Sequence, residues 1–454
     1  MGDAGASFRD RSEDPIRSRT GGSGAAPKGA LSDSTPQIPF PPPPPEGLPP
    51  AAPLPALREA PARDDQFPSE APARAAWLDA FRGLAVVGMI LVNNPGDCRL
   101  QSRWLSHAAW DGLTFADLVF PFFLVSVGIS LTFMLGKSGP GTTLGKRSAR
   151  LLRRSLTLVV LGLLFHLWIS RDFSNFRIPG VLQRIGICSL LGGFIILQFP
   201  PRGLAAITLG ILGAYAALLL GLHPPTFLET SPGAGRAPHE VRFEDAAAGR
   251  RPGYLSKEGS LPSYVDRQIL GRHLYRPEYD PEGILSTGSA VSTVLLGSLA
   301  GLWLRRSGSR RGRHRTLFLW GVALAAAGLA ASGILPVNKA LWSPSFVLVT
   351  AGISFAVLSG LAASLEAHPG FAGYRPLEIF GANALLVYVG SNFLTLILEN
   401  LALGDRTLET RLFEGFYLRW SGGAWAAFFY GISNAAIWIP ILWMLHRKRI
   451  HVRA

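Results

Sequence analysis

Apolar runs of roughly 18 to 25 residues with few charges recur along the chain, near 76–95, 113–136, 151–170, 178–199, 203–222, 284–304, 316–334, 342–364, 376–398 and 424–445. They are too long and too evenly apolar for strands or for the one-sided helices of a soluble domain. By the ~20-residue rule each predicts a helix that crosses a bilayer, about ten in all. The predicted fold class is all-α, a polytopic integral membrane protein.

The polar segments between the runs set the domain organisation. Residues 1–73 are polar and proline-rich, with PFPPPPPEGLPP at 39–50, and read as a disordered cytoplasmic tail. That tail lacks the apolar core of a signal peptide, so the first span is expected to direct insertion. Residues 74–454 form the transmembrane domain. Its loop at 223–283 is too long for a tight turn and too polar to span, and is expected to fold over the outer mouth.

Composition and charge sharpen this picture. Hydrophobic residues make up 48% of the 454-residue chain, an average that the polar tail lowers. A net charge of +14 would suit a nucleic-acid binder, but the first 75 residues are close to neutral. Basic residues cluster in alternate loops instead. Lys137, Lys146, Arg147, Arg150, Arg153 and Arg154 follow the second span, Arg305, Arg306, Arg310, Arg311, Arg313 and Arg315 the sixth, and Arg447, Lys448, Arg449 and Arg453 the tenth. All fall on one side if both termini are cytoplasmic. The patches abut the bilayer without interleaved aromatics, which excludes nucleic acid as their partner. In this orientation the two cysteines, Cys98 outside and Cys188 within the fourth span, are too differently placed for a disulfide, and neither belongs to a metal-ligand cluster.

The stretch at 79–128, DAFRGLAVVGMILVNNPGDCRLQSRWLSHAAWDGLTFADLVFPFFLVSVG, holds the chemistry-bearing residues. Two spans flank a polar outer loop with His107, and Asn93 and Asp117 lie at the adjoining helix ends. Neutral imidazole can take a proton from an attacking amine or accept an acyl group itself. Asn93 either donates to a developing oxyanion or ends the first helix before Pro95 and Gly96, the role expected of Asn94. Asp117, costly one turn inside a span, either orients His107, holds an ammonium, or forms a salt bridge to Arg177 or Arg184. Asp79 and Arg82, three apart on one helix face, form an ion pair unless Arg82 reaches an anion. Gln183 and Arg184 fall in the outer half of the fourth span and are expected to face a cavity. Asp280 and Glu282 either bind substrate or cap the sixth span. Asn383 and Asn434 are expected to bond between helices, and His166 to sit at a helix interface. Trp168, Trp342 and Trp420 fit an aromatic belt.

That stretch, followed by RIPGVLQRIG at 177–186, VDRQILGRHLYRPEYDPEGILSTGSAV at 265–291, LPVNKALWSPSF at 335–346 and IFGANALLVYVG at 379–390, resembles the transmembrane heparan-alpha-glucosaminide N-acetyltransferases and their bacterial relatives. The resemblance covers nearly all of 76–445 and leaves out the first 73 residues. It implies an acyltransferase of a bacterial inner membrane, with cytosolic acetyl-CoA as donor, an extracytoplasmic amino sugar as acceptor and no metal. His107, Asn93 and Asp117 would be catalytic. Asp79, Arg82, Arg150, Arg153 and Arg154 would lie at the CoA site, and Gln183, Arg184, Asp280 and Glu282 in the acceptor pocket. Membrane lipid is an implied partner, and a homodimer is left open. The rival readings are a sugar transporter, which an internal polar pocket also serves, and a scaffold acting through its tail.

Overall fold

The computed structural model describes residues 76–136, 143–224, 255–306, 309–448 and 450. The expected tail at 1–73, the 225–254 part of the expected outer loop, and Lys137, Arg449 and Arg453 lie outside the described residues. Long apolar helices dominate the rest. They are α1 (Ala76–Asn93), α2 (Phe115–Leu135), α3 (Leu144–Ser170), α4 (Val181–Gln198) and α5 (Pro201–Gly221). After the short α6 (Leu261–Leu270) come α7 (Ile284–Leu304), α8 (Arg310–Ala331) and α9 (Pro344–Ala367). The chain continues through α10 (Arg375–Ala382), α11 (Ala384–Asn400) and the short α12 (Leu408–Leu412) to α13 (Gly423–Arg447). Nine of the described helices are long and apolar enough to cross a membrane, and the chain is an integral membrane protein.

The bundle is built around α2 and α7. Their most apolar stretches are 72% and 78% buried within the protein, against 17% for α3, whose remaining surface is left for lipid. Close approach of these two helices depends on missing side chains. A Cβ at Gly128 would collide with the Val294 carbonyl, and one at Gly297 with the Val125 carbonyl. Small residues that bring backbones together supply the packing attraction that hydrophobicity cannot supply in lipid.

The ninth expected span, 376–398, is not one straight helix. It is broken at Asn383 into α10 and α11, which meet at 78°. Asn383 leaves helical geometry at φ −123°, ψ 31°. Its side-chain amide donates back to the Ile379 carbonyl at 3.4 Å. Asn434 does bond between helices, donating to Thr395 Oγ1 at 3.4 Å. The broken pair still covers the depth of α1. Gly381 lies against the Asp79 backbone near the start of α1, while Thr395 donates to Asn94 Oδ1 at 2.5 Å at its far end.

The basic clusters gather at one end of the bundle. Arg305 Nη1 donates to the Thr132 carbonyl near the end of α2 at 2.6 Å, and Arg154 Nη1 approaches Met134 Sδ at 4.0 Å. The indole N–H of Trp303 reaches the Arg313 carbonyl at 3.3 Å. His107 lies at the opposite end, in the loop before α2.

Candidate active site

His107 is set by the start of α2. Its Nδ1 lies 2.8 Å from Asp117 Oδ1. The other carboxylate oxygen accepts the backbone N–H of Ala108 and of Thr114, each at 3.1 Å. Asp117 is buried while the imidazole is 45% exposed, so the carboxylate is fixed and the ring faces outward. An acceptor-only carboxylate requires Nδ1 to carry the proton, which leaves the lone pair on Nε2. Asp117 thus meets His107 and, at 3.7 Å, the Lys339 ammonium, and makes no salt bridge to Arg177 or Arg184 among the described residues.

A third group completes the cluster. Lys339 Nζ stands 3.7 Å from Asp117 Oδ1, 3.2 Å from His107 Nδ1 and 3.3 Å from Nε2. A point nearly equidistant from both ring nitrogens at that range lies off the ring plane, not along either lone pair. Lys339 therefore covers one face of the imidazole without blocking Nε2. Burial pushes its ammonium below the ordinary lysine value, against the opposing charges of Asp117 and Glu282.

The Lys339 loop is locked to the His107 loop through Asn338, which is fully buried. Its amide nitrogen donates to Asp111 Oδ1 at 2.8 Å and to the Trp110 carbonyl at 3.1 Å, and its Oδ1 accepts the Leu341 N–H at 2.8 Å. Gly112 N donates to the Val337 carbonyl at 2.8 Å. Trp342 closes the turn with a left-handed φ of 50°, a conformation unusual for a bulky side chain. Its ring is wholly buried, so Trp342 is not part of an aromatic belt. It packs 4.9 Å beneath the Arg184 guanidinium and donates its indole N–H to Thr293 Oγ1 at 3.1 Å. Trp168 and Trp420 are exposed, as a belt requires.

A second polar cluster lies beside the first. Arg177 grips Asp280 with Nε at 2.8 Å and Nη2 at 2.5 Å, and Nη2 also reaches Glu282 Oε2 at 2.5 Å. Burial alone would raise the Glu282 carboxyl, but Arg177, with Arg184 and Lys339 behind it, holds it below the usual range. Neither acid caps α7. Asp266 does so from 18 positions upstream, with Oδ1 accepting the Ile284 N–H at 2.8 Å. Its other oxygen is packed against Gly283, where a Cβ would collide with it, and burial pushes its carboxyl up to about 7.

The remaining expected residues divide by position. Arg184 is buried, with Nε on Thr287 Oγ1 at 3.0 Å and Nη2 on Ser286 Oγ at 2.5 Å, while its Nη1 has no hydrogen-bond partner among the described residues. Gln183 turns the other way, 3.4 Å from His166 Nδ1 on α3. His166 in turn lies 2.8 Å from the Arg177 carbonyl. Asn93 is exposed at the end of α1, while Asn94 is buried and donates to the Ile90 carbonyl at 3.0 Å. At the basic end Arg82 pairs with Asp79 at 3.2 Å and donates to the Gly381 carbonyl at 3.0 Å. Arg154 turns inward near Arg82, whereas Arg150 and Arg153 are exposed. No role for Lys339 follows from the sequence pattern. Its one signal is a lone cation inside an apolar block, which the quoted motif carries without explaining.

The fold and this site define a polytopic membrane protein with a carboxylate-oriented histidine at one end of its bundle. Residues 74–228 match the family model described as heparan-alpha-glucosaminide N-acetyltransferase, catalytic. The chain is 28% identical over 426 residues to the human heparan-alpha-glucosaminide N-acetyltransferase, with 84% of this chain covered. Against the mouse protein of the same name it is 27% identical over 427 residues, with 83% covered. It spans 60% of the length of each of these relatives. Over these residues the chain is similar to the heparan-alpha-glucosaminide N-acetyltransferases.

Proposed function

We propose that this protein is a transmembrane N-acetyltransferase, moving an acetyl group from cytosolic acetyl-CoA to the amine of an amino sugar on the far side of a bacterial inner membrane. The observation that carries the reading is the His107 imidazole, held through Nδ1 by Asp117 with the Lys339 ammonium beside Nε2, at the end opposite the basic clusters. By the positive-inside rule those clusters, and with them both termini, are cytoplasmic. With the donor held at that end and the acceptor arriving from the other, this reading assigns the meeting point to the neighbourhood of Nε2.

The residues take roles as follows. Nε2 either attacks the thioester carbonyl, releasing CoA and carrying the acetyl group, or takes the proton of the attacking amine. Lys339 lies over the same ring, where its N–H groups can donate to the carbonyl oxygen as negative charge develops. That assigns to Lys339 the donor role the sequence offered to Asn93. Arg82 and the inward-turned Arg154 are the fitting ligands for a CoA phosphate, with exposed Arg150 and Arg153 at the rim. Arg177 already binds Asp280 and Glu282, so those acids shape the acceptor pocket more than they bind sugar.

The test is transfer of labelled acetyl from acetyl-CoA to glucosamine by purified protein. His107→Ala should abolish it while leaving CoA affinity unchanged. Acid-quenched label on the wild-type protein, formed without acceptor and absent from the variant, selects the acyl-histidine route. Wild-type turnover in His107→Ala, or glucosamine counterflow in vesicles without any acetylation, would overturn the reading. Orientation is checked by impermeant thiol labelling of a cysteine placed at Lys257, which should react from outside, against one placed at Arg311, which should not.

A further inference from the structure

A cavity of about 440 Å³ opens between α5, α7, α8 and α9 near the basic end. Its walls come from Leu299, Leu302 and Trp303 on α7, Trp320 on α8 and Phe355 on α9, and its one charged lining residue among those described is Arg306. Trp303 and Trp320 lie 4.8 Å apart, and the Arg306 guanidinium sits 5.2 Å over the Trp303 ring. From Leu296 to Trp303 the groove follows roughly 10 Å of helix at 1.5 Å per residue.

The surroundings identify the occupant. Neighbouring α8 side chains Phe318, Leu319 and Val322 are about half exposed, as a lipid-facing surface is. The groove therefore opens beside a lipid-facing surface. Arg306 is exposed and forms no salt bridge to a carboxylate among the described residues. The N-terminus of α8 lies alongside, since Arg313 Nη1 donates to the Arg306 carbonyl at 2.7 Å. It brings the exposed Arg310 and Arg311. An apolar slot between spanning helices, with a guanidinium at its mouth that meets no carboxylate among the described residues and more cations beside it, matches an acyl chain joined to an anionic headgroup.

We propose that this groove binds one anionic glycerophospholipid, its acyl chain lying between α7 and α8 and its phosphate on Arg306. This site lies apart from the His107 cluster and does not rest on the acetyl-transfer reading. The lipid would wedge α8 against α5 and α7, and so hold together the arginine-bearing end of the bundle.

Native mass spectrometry of the full chain, released from nanodiscs of phosphatidylglycerol and phosphatidylcholine with identical chains, tests it. Wild type should retain one phosphatidylglycerol in preference to phosphatidylcholine by about fivefold, the effect of one basic residue near a membrane surface. Arg306→Gln should remove the preference but keep binding, whereas Leu299→Trp should expel either lipid. Ala323→Leu fills the slot from the opposite wall and serves if Leu299→Trp fails to fold. Equal retention of the two lipids by wild type, or retention unchanged by filling the slot, would overturn the proposal. So would displacement of the retained lipid by CoA, which would make the groove part of the donor channel. Loss of a dimer on filling the slot would instead show that a second copy of the chain covers it.

Discussion

Lys339 and His107, 232 positions apart, meet with Nζ within 3.3 Å of both imidazole nitrogens. The pairing comes from two loops fastened by Asn338, so the ammonium is positioned before any substrate arrives. A donor already in place costs no reorganisation when charge develops.

Lys339→Met should therefore reduce turnover roughly 10²- to 10³-fold, the usual loss for one oxyanion donor. CoA affinity should stay at the wild-type level, because the phosphate site proposed above is at the other end of the bundle. Lys339→Arg should recover part of the rate. Steady-state acetylation paired with direct CoA binding checks this, and a raised Kd for CoA with unchanged turnover would place Lys339 on the donor path instead.

Asp117→Asn tests tautomer control. An amide can offer N–H to Nδ1, favouring the proton on Nε2 and removing the free lone pair. The expected loss is roughly 10²- to 10⁴-fold in turnover, the range for general acid–base catalysis. Melting temperature in detergent reports the accompanying structural cost. If activity fell only in proportion to folded protein, Asp117 would be a cap and nothing more.

Arg177→Met should be severely destabilising, by about 3–5 kcal/mol, because it strands the largely buried carboxylates of Asp280 and Glu282. Adding Asp280→Asn and Glu282→Gln to that variant should restore much of the loss. Denaturation midpoints of the single and triple variants decide it, and no recovery in the triple variant would mean that the carboxylates are needed for themselves.

Asp266 gives a pH dependence of definite sign. Burial pushes its carboxyl up to about 7 in the fold, from about 4 for an aspartate in water. A raised folded pKa means stability that is fully present below about 4 and is lost as pH rises through about 7. Melting temperatures of wild type should fall between pH 5 and pH 8, and Asp266→Asn should flatten that slope. An unchanged slope in the variant would assign the pH response to another group, Glu409 first, since burial also pushes its carboxyl up to about 7.

The spans were legible because lipid imposes one rule on every crossing segment, a long apolar run. That rule is blind to direction within a run. Residues 376–398 stay apolar through Asn383, and the elbow arises from packing against α1 that no local pattern records. Likewise the His107 and Asp117 partnership could be read from two neighbouring elements, one loop and the helix it enters. Lys339 and the Asp266 cap could not, because each reaches its partner through a fold that sequence proximity does not encode. Trp342 was misplaced for the same reason: it stands at a loop-to-span junction, as belt residues do, but its left-handed turn sends the ring inward beneath Arg184.

The elbow at Asn383 bears on the order in which the chain is made. The face of α1 that carries Gly83 is covered by α10, with Leu377 against it, and Arg82 bonds the Gly381 carbonyl across 299 positions of sequence. During synthesis α1 leaves the ribosome long before these partners exist. Until they arrive its Arg82 can still lean on Asp79, three residues away, as a local neutral pair in lipid. The C-terminal helices then act as the closing seam of the bundle, and a nascent chain halted before residue 375 would keep α1 inserted but leave that seam open.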